Sequence, residues 1–129
     1  MLAILSGTNN SERDKAFLRA ETAHASGDYR EAAKIWQQLA DDNDVISRTR
    51  LAWLYEKGLG VKRNLNHAAV LFRQSAMHGD ADAQYALAVM LQTGKGQAKD
   101  LQESKRWLQS AAELGHKAAA LALTNFRTP

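Results

Sequence analysis

Apolar residues recur in the second half of the chain at the spacing of one buried helix face. Residues 82–93 carry such a stripe at offsets i, i+4, i+5 and i+8, formed by Ala83, Leu87, Ala88 and Leu91. A second stripe, over about residues 101–114, comprises Trp107, Leu108, Ala111 and Ala112. The pattern predicts two consecutive amphipathic helices, each with one face turned towards a core.

The residues between and after the two stripes carry the signals of helix ends. Gly94-Lys95-Gly96 ends the first predicted helix, because glycine adopts the positive φ of a C-cap and of a tight reversal. Asp100, with Glu103 three residues later, makes a capping-box pattern at the start of the second helix. Gly115 closes that helix, so the segment predicts helix, loop, helix and tight turn.

The same unit occurs twice without a gap. Residues 45–80 align with residues 81–116 at a 36-residue period, which predicts helices over 46–57 and 65–78 with Asn64 as the second cap. Seven positions are identical, and all are glycines or apolar residues that a packed repeat must hold fixed: Leu51/Leu87, Ala52/Ala88, Gly58/Gly94, Gly60/Gly96, Leu65/Leu101, Ala76/Ala112 and Gly79/Gly115.

The repeat extends in both directions. Residues 14–44 form a shorter unit whose interhelix turn contains Gly27, and residues 117–126 correspond to the first helix of a further unit. The predicted organisation is therefore an N-terminal extension over residues 1–13, followed by a single repeat domain over residues 14–129.

The residues of these units resemble a known family. Residues 83–96 have the pattern Ala-Gln-Tyr-Ala-Leu-Ala-x-x-Leu-x-x-Gly-x-Gly; with the later Asp-Leu, Ala-Ala and Gly115, this resembles the Sel1-like repeat, as do residues 47–79. The unit over residues 14–44 is more similar to the related tetratricopeptide repeat. The resemblance implies an all-α, right-handed α-solenoid of helix-turn-helix repeats with about seven helices. It also implies that the first helix of each pair lines a concave face.

Composition and charge narrow the functional classes. The net charge is only +3, and the 17 basic residues are interleaved with 14 acidic ones, which does not indicate a nucleic-acid partner. The chain has no cysteine, which excludes disulfides, thiol catalysis and Cys-ligated zinc. No apolar run approaches the ~18 residues of a membrane-spanning helix. We expect a cytoplasmic protein, or a periplasmic one if a signal segment was removed.

No constellation of residues points to catalysis. The four histidines, His24, His67, His78 and His116, do not recur at the repeat period and lack a partner at metal-site spacing, so each is interpreted as a surface histidine. The Gly-x-Gly turns lack the Gly-Lys-Ser/Thr ending of a phosphate loop. The carboxylates form no obvious pair. The sequence predicts a protein that is not an enzyme and uses no metal or other cofactor.

A second stripe on the first helices predicts a partner-binding surface. It comprises positions that the core does not wholly need: Thr49, Trp53 and Glu56 in one unit, Tyr85, Val89 and Gln92 in the next, and Leu121 in the last helix. Aromatic residues are enriched among binding hot spots. The alternative, that Trp53 and Tyr85 pack between neighbouring repeats, stays open. Trp36 and Trp107 are predicted to lie in the core.

The family resemblance and the second stripe together predict a non-catalytic protein–protein interaction module. Its role would be that of an adaptor, a scaffold or a regulatory or immunity-type partner of another protein. The alternative is a structural solenoid that self-associates through its ends. The apolar residues 1–5 are a second candidate contact, which would either cover the first helix pair or bind another chain.

Overall fold

The structure is a computed structural model that describes residues 10–126. Seven α-helices and no strand occur in that range: α1 (Asn10–Ala25), α2 (Tyr29–Asp41), α3 (Val45–Lys57), α4 (Leu65–Met77), α5 (Ala81–Thr93), α6 (Leu101–Glu113) and α7 (Lys117–Thr124). This confirms the all-α prediction. Helix α1 begins at Asn10, so the last part of the predicted extension over residues 1–13 is helical. Residues 1–5 lie outside the described range.

The chain divides into two compact units, Met1–Arg63 and Asn64–Pro129, which we call unit 1 and unit 2. In unit 1, α2 packs against α1 and against α3. In unit 2, consecutive helices pack together from α4 to α7. The boundary falls in the loop between α3 and α4, within the first 36-residue repeat, and the prediction of one domain over residues 14–129 stays a prediction.

A capping side chain precedes each of the helices from α2 to α7. The capping positions recur at the period of the repeat. Helices α2, α4 and α6 begin after Asp28, Asn64 and Asp100, whereas α3, α5 and α7 begin after Asp44, Asp80 and His116. Each cap accepts a hydrogen bond from the backbone N–H three residues later, which satisfies one of the unpaired donors of the first turn. The predicted caps at Asn64 and Asp100 are confirmed.

The paired glycines have two different functions. Gly58 and Gly94 are left-handed C-caps, as predicted. Gly60 and Gly96 instead allow a close backbone approach: a Cβ on Gly60 would overlap the carbonyl of Tyr29, and one on Gly96 would lie 2.6 Å from the carbonyl oxygen of Leu65. Both carbonyls belong to the first residue of a second helix, so the second glycine lets the loop pass directly over that helix start.

Within each unit, polar side chains donate hydrogen bonds to backbone carbonyls of neighbouring helices. Ser104, which lies one repeat period after Ala68, is buried and donates to the Ala88 carbonyl at 2.7 Å. Two longer side chains bind the carbonyl of an alanine near the end of the preceding helix. Arg48 donates to Ala40 in unit 1, and Gln84 donates to Ala76 in unit 2. These bonds join each first helix to the helix before it.

Candidate partner-binding surface

Trp53 lies on the accessible side of α3 in unit 1. Its indole is half-buried, and the guanidinium of Arg50, one helical turn earlier, lies 5.4 Å from the ring centroid. The same guanidinium lies 5.8 Å from the ring of Phe17 on α1 and donates to Glu21 Oε2 at 3.1 Å. Two aromatic faces and a carboxylate therefore fix Arg50 in one orientation.

Trp53, Arg50 and Glu21 border a cavity of about 280 Å³, which we call the Trp53 cavity. Its lining comes from all three helices of unit 1: Glu21, His24, Trp36, Arg50, Trp53 and Leu54. The Trp36 ring lies 5.7 Å from the ring of His24 and 6.3 Å from that of Phe17. The result is a concave, mainly aromatic site with an ion pair in its wall.

One hydrogen-bond donor in this lining is unused. Trp36 is only 2% exposed, and its Nε1 has no hydrogen-bond acceptor among the described residues. An unsatisfied buried N–H costs on the order of 1–3 kcal/mol, and native proteins leave few such groups. The predicted core position of Trp36 is thus correct, but its indole N–H is not part of a closed hydrogen-bond network.

A second cavity of about 350 Å³ lies along α1 and the start of α3. Phe17, Leu18 and Ile46 supply its apolar surface, and Leu18 and Ile46 are among the most exposed large apolar side chains of unit 1. Charged residues complete the lining, namely Arg13, Asp14, Glu21 and Asp44. Because Glu21 lines both cavities, they form neighbouring parts of one surface on unit 1.

The other two residues predicted for this part of the stripe lie differently. Thr49 is 1% exposed, and its hydroxyl donates to the Val45 carbonyl at 3.3 Å, so the prediction that it is accessible to a partner is wrong. A threonine can satisfy its hydroxyl within its own helix and pack its methyl group, which makes the position compatible with burial. Glu56 is half-buried, and its backbone carbonyl accepts from Arg63 at 3.0 Å.

In unit 2, Tyr85 packs against the protein interior. It contacts a buried cluster of Ala88, Leu108, Ala111 and Ala119. The imidazole of His116 stacks on its ring at 4.9 Å, with 22° between the planes. For Tyr85 the packing alternative therefore describes the structure, whereas Trp53 lines an open cavity.

His116 is not the surface histidine that the sequence predicted. Its side chain is 16% exposed, and its Nδ1 accepts from the Ala119 N–H at 3.1 Å as the cap of α7. Its Nε2 lies 3.0 Å from Asp82 Oδ1.

The remaining predicted contact residues of unit 2 are accessible. Val89 is 37% exposed, Gln92 is exposed, and Leu121 on α7 is 66% exposed. No cavity described in the structure is lined by these three side chains. They stay predicted contacts without the concave setting that Trp53 has.

The second tryptophan predicted for the core, Trp107, is only half-buried and belongs to a polar cluster in unit 2. Its Nε1 donates to Glu103 Oε2 at 3.0 Å, and Arg73 Nη1 donates to the same oxygen at 2.6 Å. Arg73 also donates to Gln97 at 2.9 Å. The hydrogen bond from Arg73, aided by that from Trp107, holds the pKa of the Glu103 carboxyl below its ordinary value of 4.5. Glu103 serves this cluster, not the second half of the predicted capping box.

Residues 10–126 were also compared with the requirements of a metal site and of a membrane span. That range contains no group of three or more histidine and acidic side chains that could hold a metal ion. None of the helices described is long and apolar enough to cross a membrane.

The residues that sequence reasoning missed are those contributed by α1. Phe17, Leu18, Glu21 and His24 all line the surface of unit 1, yet α1 belongs to the shorter unit that does not align with the others over its full length. Their spacing of three and four residues is a helical stripe that could have been read from the sequence. The proximity of Glu21 to Arg50, 29 residues later, could not.

The repeated helix pairs and their glycine turns define an all-helical repeat protein. The family model of the Sel1 repeat matches residues 45–80 and 81–116, more than half of the chain. The chain belongs to the Sel1 repeat family. Proteins of this family generally mediate protein–protein interactions.

Solved structures agree with this fold. The chain superposes on a Sel1 repeat protein from Oxalobacter formigenes with a TM-score of 0.79 and 26% identity, over 83% of this chain and 44% of that one. A protective antigen of uropathogenic Escherichia coli with an SLR fold gives 0.71 at 34% identity, over 74% and 20%. Cysteine rich protein B of Helicobacter pylori gives 0.68 at 20% identity, over 88% and 96%, and shows the fold alone. The predicted α-solenoid fold class is confirmed.

Two curated relatives are longer than this chain. An exopolysaccharide production negative regulator of Rhizobium meliloti is 34% identical over an alignment of 106 residues, which covers 69% of this chain and 38% of the relative. The DAP3-binding cell death enhancer 1 of Rattus norvegicus is 40% identical over 63 residues, which are 49% of this chain and 12% of the relative. The chain thus spans well under half the length of either.

Proposed function

We propose that this protein is a non-catalytic binding module that recognises another protein through the surface formed by α1 and α3 of unit 1. The observation that carries the proposal is the position of Trp53, which lines an open cavity beside a fixed guanidinium. An accessible aromatic ring in a concave, partly desolvated site has the features of a binding hot spot.

The surroundings of Trp53 support a protein as the ligand. Leu18 and Ile46 expose 64% and 50% of their surface next to the cavity, and charged side chains surround them. An apolar centre with a polar rim is typical of protein–protein interfaces. First helices of two successive helix pairs supply this surface, as the family resemblance implies for a partner-binding face.

The relatives suggest the type of role. One relative is named as a negative regulator and the other by its binding to DAP3. A protein that acts by occupying a partner needs a binding surface and no catalytic groups, so we favour a regulatory adaptor over a passive scaffold. The partner itself is to be identified by experiment.

Site-specific photo-cross-linking in the organism that encodes the chain tests this proposal. A photoreactive phenylalanine at Ile46 lies on the proposed surface, and the matched control at Val70 on α4 is equally exposed, at 51%. We expect one protein to cross-link at Ile46 and not at Val70. Cross-links at Val70 alone, or none at Ile46 when the variant is stably expressed, would contradict the proposal.

The alternative role, self-association, rests on a separate observation. Leu121 is 66% exposed on α7, the last helix that the structure describes, and Leu114 just before that helix is 56% exposed. Apolar side chains on a terminal helix can stack against another copy. Light scattering over a dilution series distinguishes the roles: a mass that stays that of one chain removes this alternative.

A further inference from the structure

We propose that the Trp53 cavity binds the carboxylate side chain of a glutamate presented by the partner protein. This inference rests on the proposed function and specifies its ligand chemistry. The observations behind it are the imbalance of donors and acceptors in the lining, the aromatic walls and the size of the cavity.

Donors exceed acceptors in the cavity lining. Arg50 has several N–H groups, of which the hydrogen bonds described use one, towards Glu21. The indole N–H of Trp36 also has no acceptor among the described residues, but it is buried and is not counted among the donors that a ligand reaches. The single carboxylate in the lining, Glu21, is already engaged by Arg50. A ligand that supplies acceptor oxygens can therefore form hydrogen bonds with the unused N–H groups of Arg50.

A carboxylate fits these donors better than a neutral acceptor does. A guanidinium binds a carboxylate through two parallel hydrogen bonds, and a charge-assisted bond is roughly twice as strong as a neutral one. Arg50 is held between the rings of Phe17 and Trp53, so little of its side-chain freedom remains to be lost on binding.

The walls and the volume favour one side chain with an aliphatic stem. Trp36, Trp53 and Leu54 present apolar surface, against which the methylene groups of glutamate can pack. The cavity of about 280 Å³ lies at the lower limit of the range for sites that take drug-sized molecules. A single anchoring side chain therefore suits it better than a larger ligand.

Removing the charge of Glu21 tests the proposal through an expected gain of binding. Its carboxylate competes with the ligand for Arg50 and repels a second negative charge. The pair is partly exposed, with 42% of the Glu21 side chain and 30% of the Arg50 side chain accessible, so Glu21 can yield the guanidinium to an incoming group. Replacing Glu21 by glutamine should strengthen binding, whereas a merely structural ion pair would give no such gain.

The experiment is a titration of the full chain with N-acetylglutamate amide, followed by the indole N–H signals in a ¹H–¹⁵N spectrum. The three tryptophans give three signals, and Trp107, whose N–H is bonded to Glu103 in unit 2, is the internal control. We expect the Trp36 and Trp53 signals to shift with a dissociation constant on the order of millimolar, as for one side chain, while Trp107 stays in place. N-acetylglutamine amide, equal in size but neutral, should shift none of them.

Two variants complete the test. Glu21→Gln should bind N-acetylglutamate amide about threefold to tenfold more tightly, and Arg50→Gln should bind it at least about tenfold more weakly. Equal shifts with the neutral amide, a shift of Trp107 or tighter binding by Arg50→Gln would overturn the inference. If N-acetylglutamate amide does not bind but a partner still cross-links at Ile46, the inference fails and the proposed function stands.

Discussion

The two units each bring together a tryptophan, a glutamate and an arginine, but they connect them differently. In unit 2, Glu103 accepts from both Trp107 and Arg73, so every member of the cluster has a partner. In unit 1, Glu21 accepts from Arg50 alone, and the N–H of Trp36 finds no acceptor. The first arrangement links all three side chains, although Nε2 of the adjoining Gln97 has no acceptor among the described residues. The second leaves the tryptophan N–H outside the ion pair.

This difference separates a structural polar cluster from a candidate binding site. A tryptophan N–H that is bonded to a carboxylate stabilises the fold and is not available to a ligand. A buried donor that is left unpaired keeps a cost of folding, and in unit 1 the neighbouring Arg50 also has unused N–H groups at a cavity. The residue types alone do not distinguish the two cases, because the geometry decides which donor the carboxylate reaches.

The largest loss of stability is expected at the second glycine of each interhelix loop, where the two units have the same structure. Gly60→Ala and Gly96→Ala should each destabilise the protein by about 3 kcal/mol or more, because the new Cβ meets backbone atoms at a positive φ. Gly79→Ala is the control: its φ is also positive, but nothing lies within 4 Å of its Cβ, so about 1 kcal/mol is expected. Urea unfolding measures all three, and equal losses would show that the close approach does not matter.

An intermediate effect should distinguish the two tryptophans. Trp107→Phe removes a satisfied hydrogen bond to a carboxylate and should cost about 1.5 kcal/mol. Trp36→Phe removes an unsatisfied donor, and this relief offsets the small cavity it leaves, so the net cost should be below about 1 kcal/mol although Trp36 is the more buried residue. Thermal and urea unfolding compare the variants. A larger loss for Trp36→Phe would mean that its N–H has a partner in solution.

The smallest expected effect is the pH dependence of stability that Glu103 contributes. The lowered pKa of Glu103 means that its carboxylate stabilises the folded state above the ordinary value of 4.5, and that this contribution is lost as pH falls through the lowered pKa. Glu103→Gln should therefore lose about 1 kcal/mol at neutral pH, and its difference from the wild type should vanish in acid. Unfolding curves recorded from neutral pH down to below 4.5 measure this, and a difference that does not change with pH would contradict it.

Much of the fold could be predicted because its determinants are local. The caps at Asn64 and Asp100 and the C-caps at Gly58 and Gly94 depend on residues a few positions apart, and the period repeats them. In the sequence, Gly60 and Gly96 could be recognised only as an identical pair, and their packing role could not be predicted. Its cause, the carbonyl of a helix start some thirty residues earlier, is a tertiary contact.

The candidate site was predicted only in part, for the same reason. Trp53 was identified from its position on the second stripe of α3. The same stripe wrongly included Thr49, because helical spacing cannot show how closely the neighbouring helices cover each position. Glu21 and His24 reach the cavity through the packing of α1, which belongs to a unit of different length. Features set by residues close in sequence could thus be predicted, whereas features set by contacts between side chains of different helices required the structure.

The most direct test of the account uses the two units at one equivalent position. Trp53 and Val89 occupy equivalent positions on the first helices of two successive 36-residue repeats. With the partner captured at Ile46, calorimetric titration should show that Trp53→Ala lowers affinity by about 30-fold or more, whereas Val89→Ala changes it by less than about threefold. Both variants should remain folded, since Trp53 is half-buried and Val89 is exposed. A loss confined to Val89→Ala, or no loss in either variant, would contradict the assignment of partner binding to unit 1.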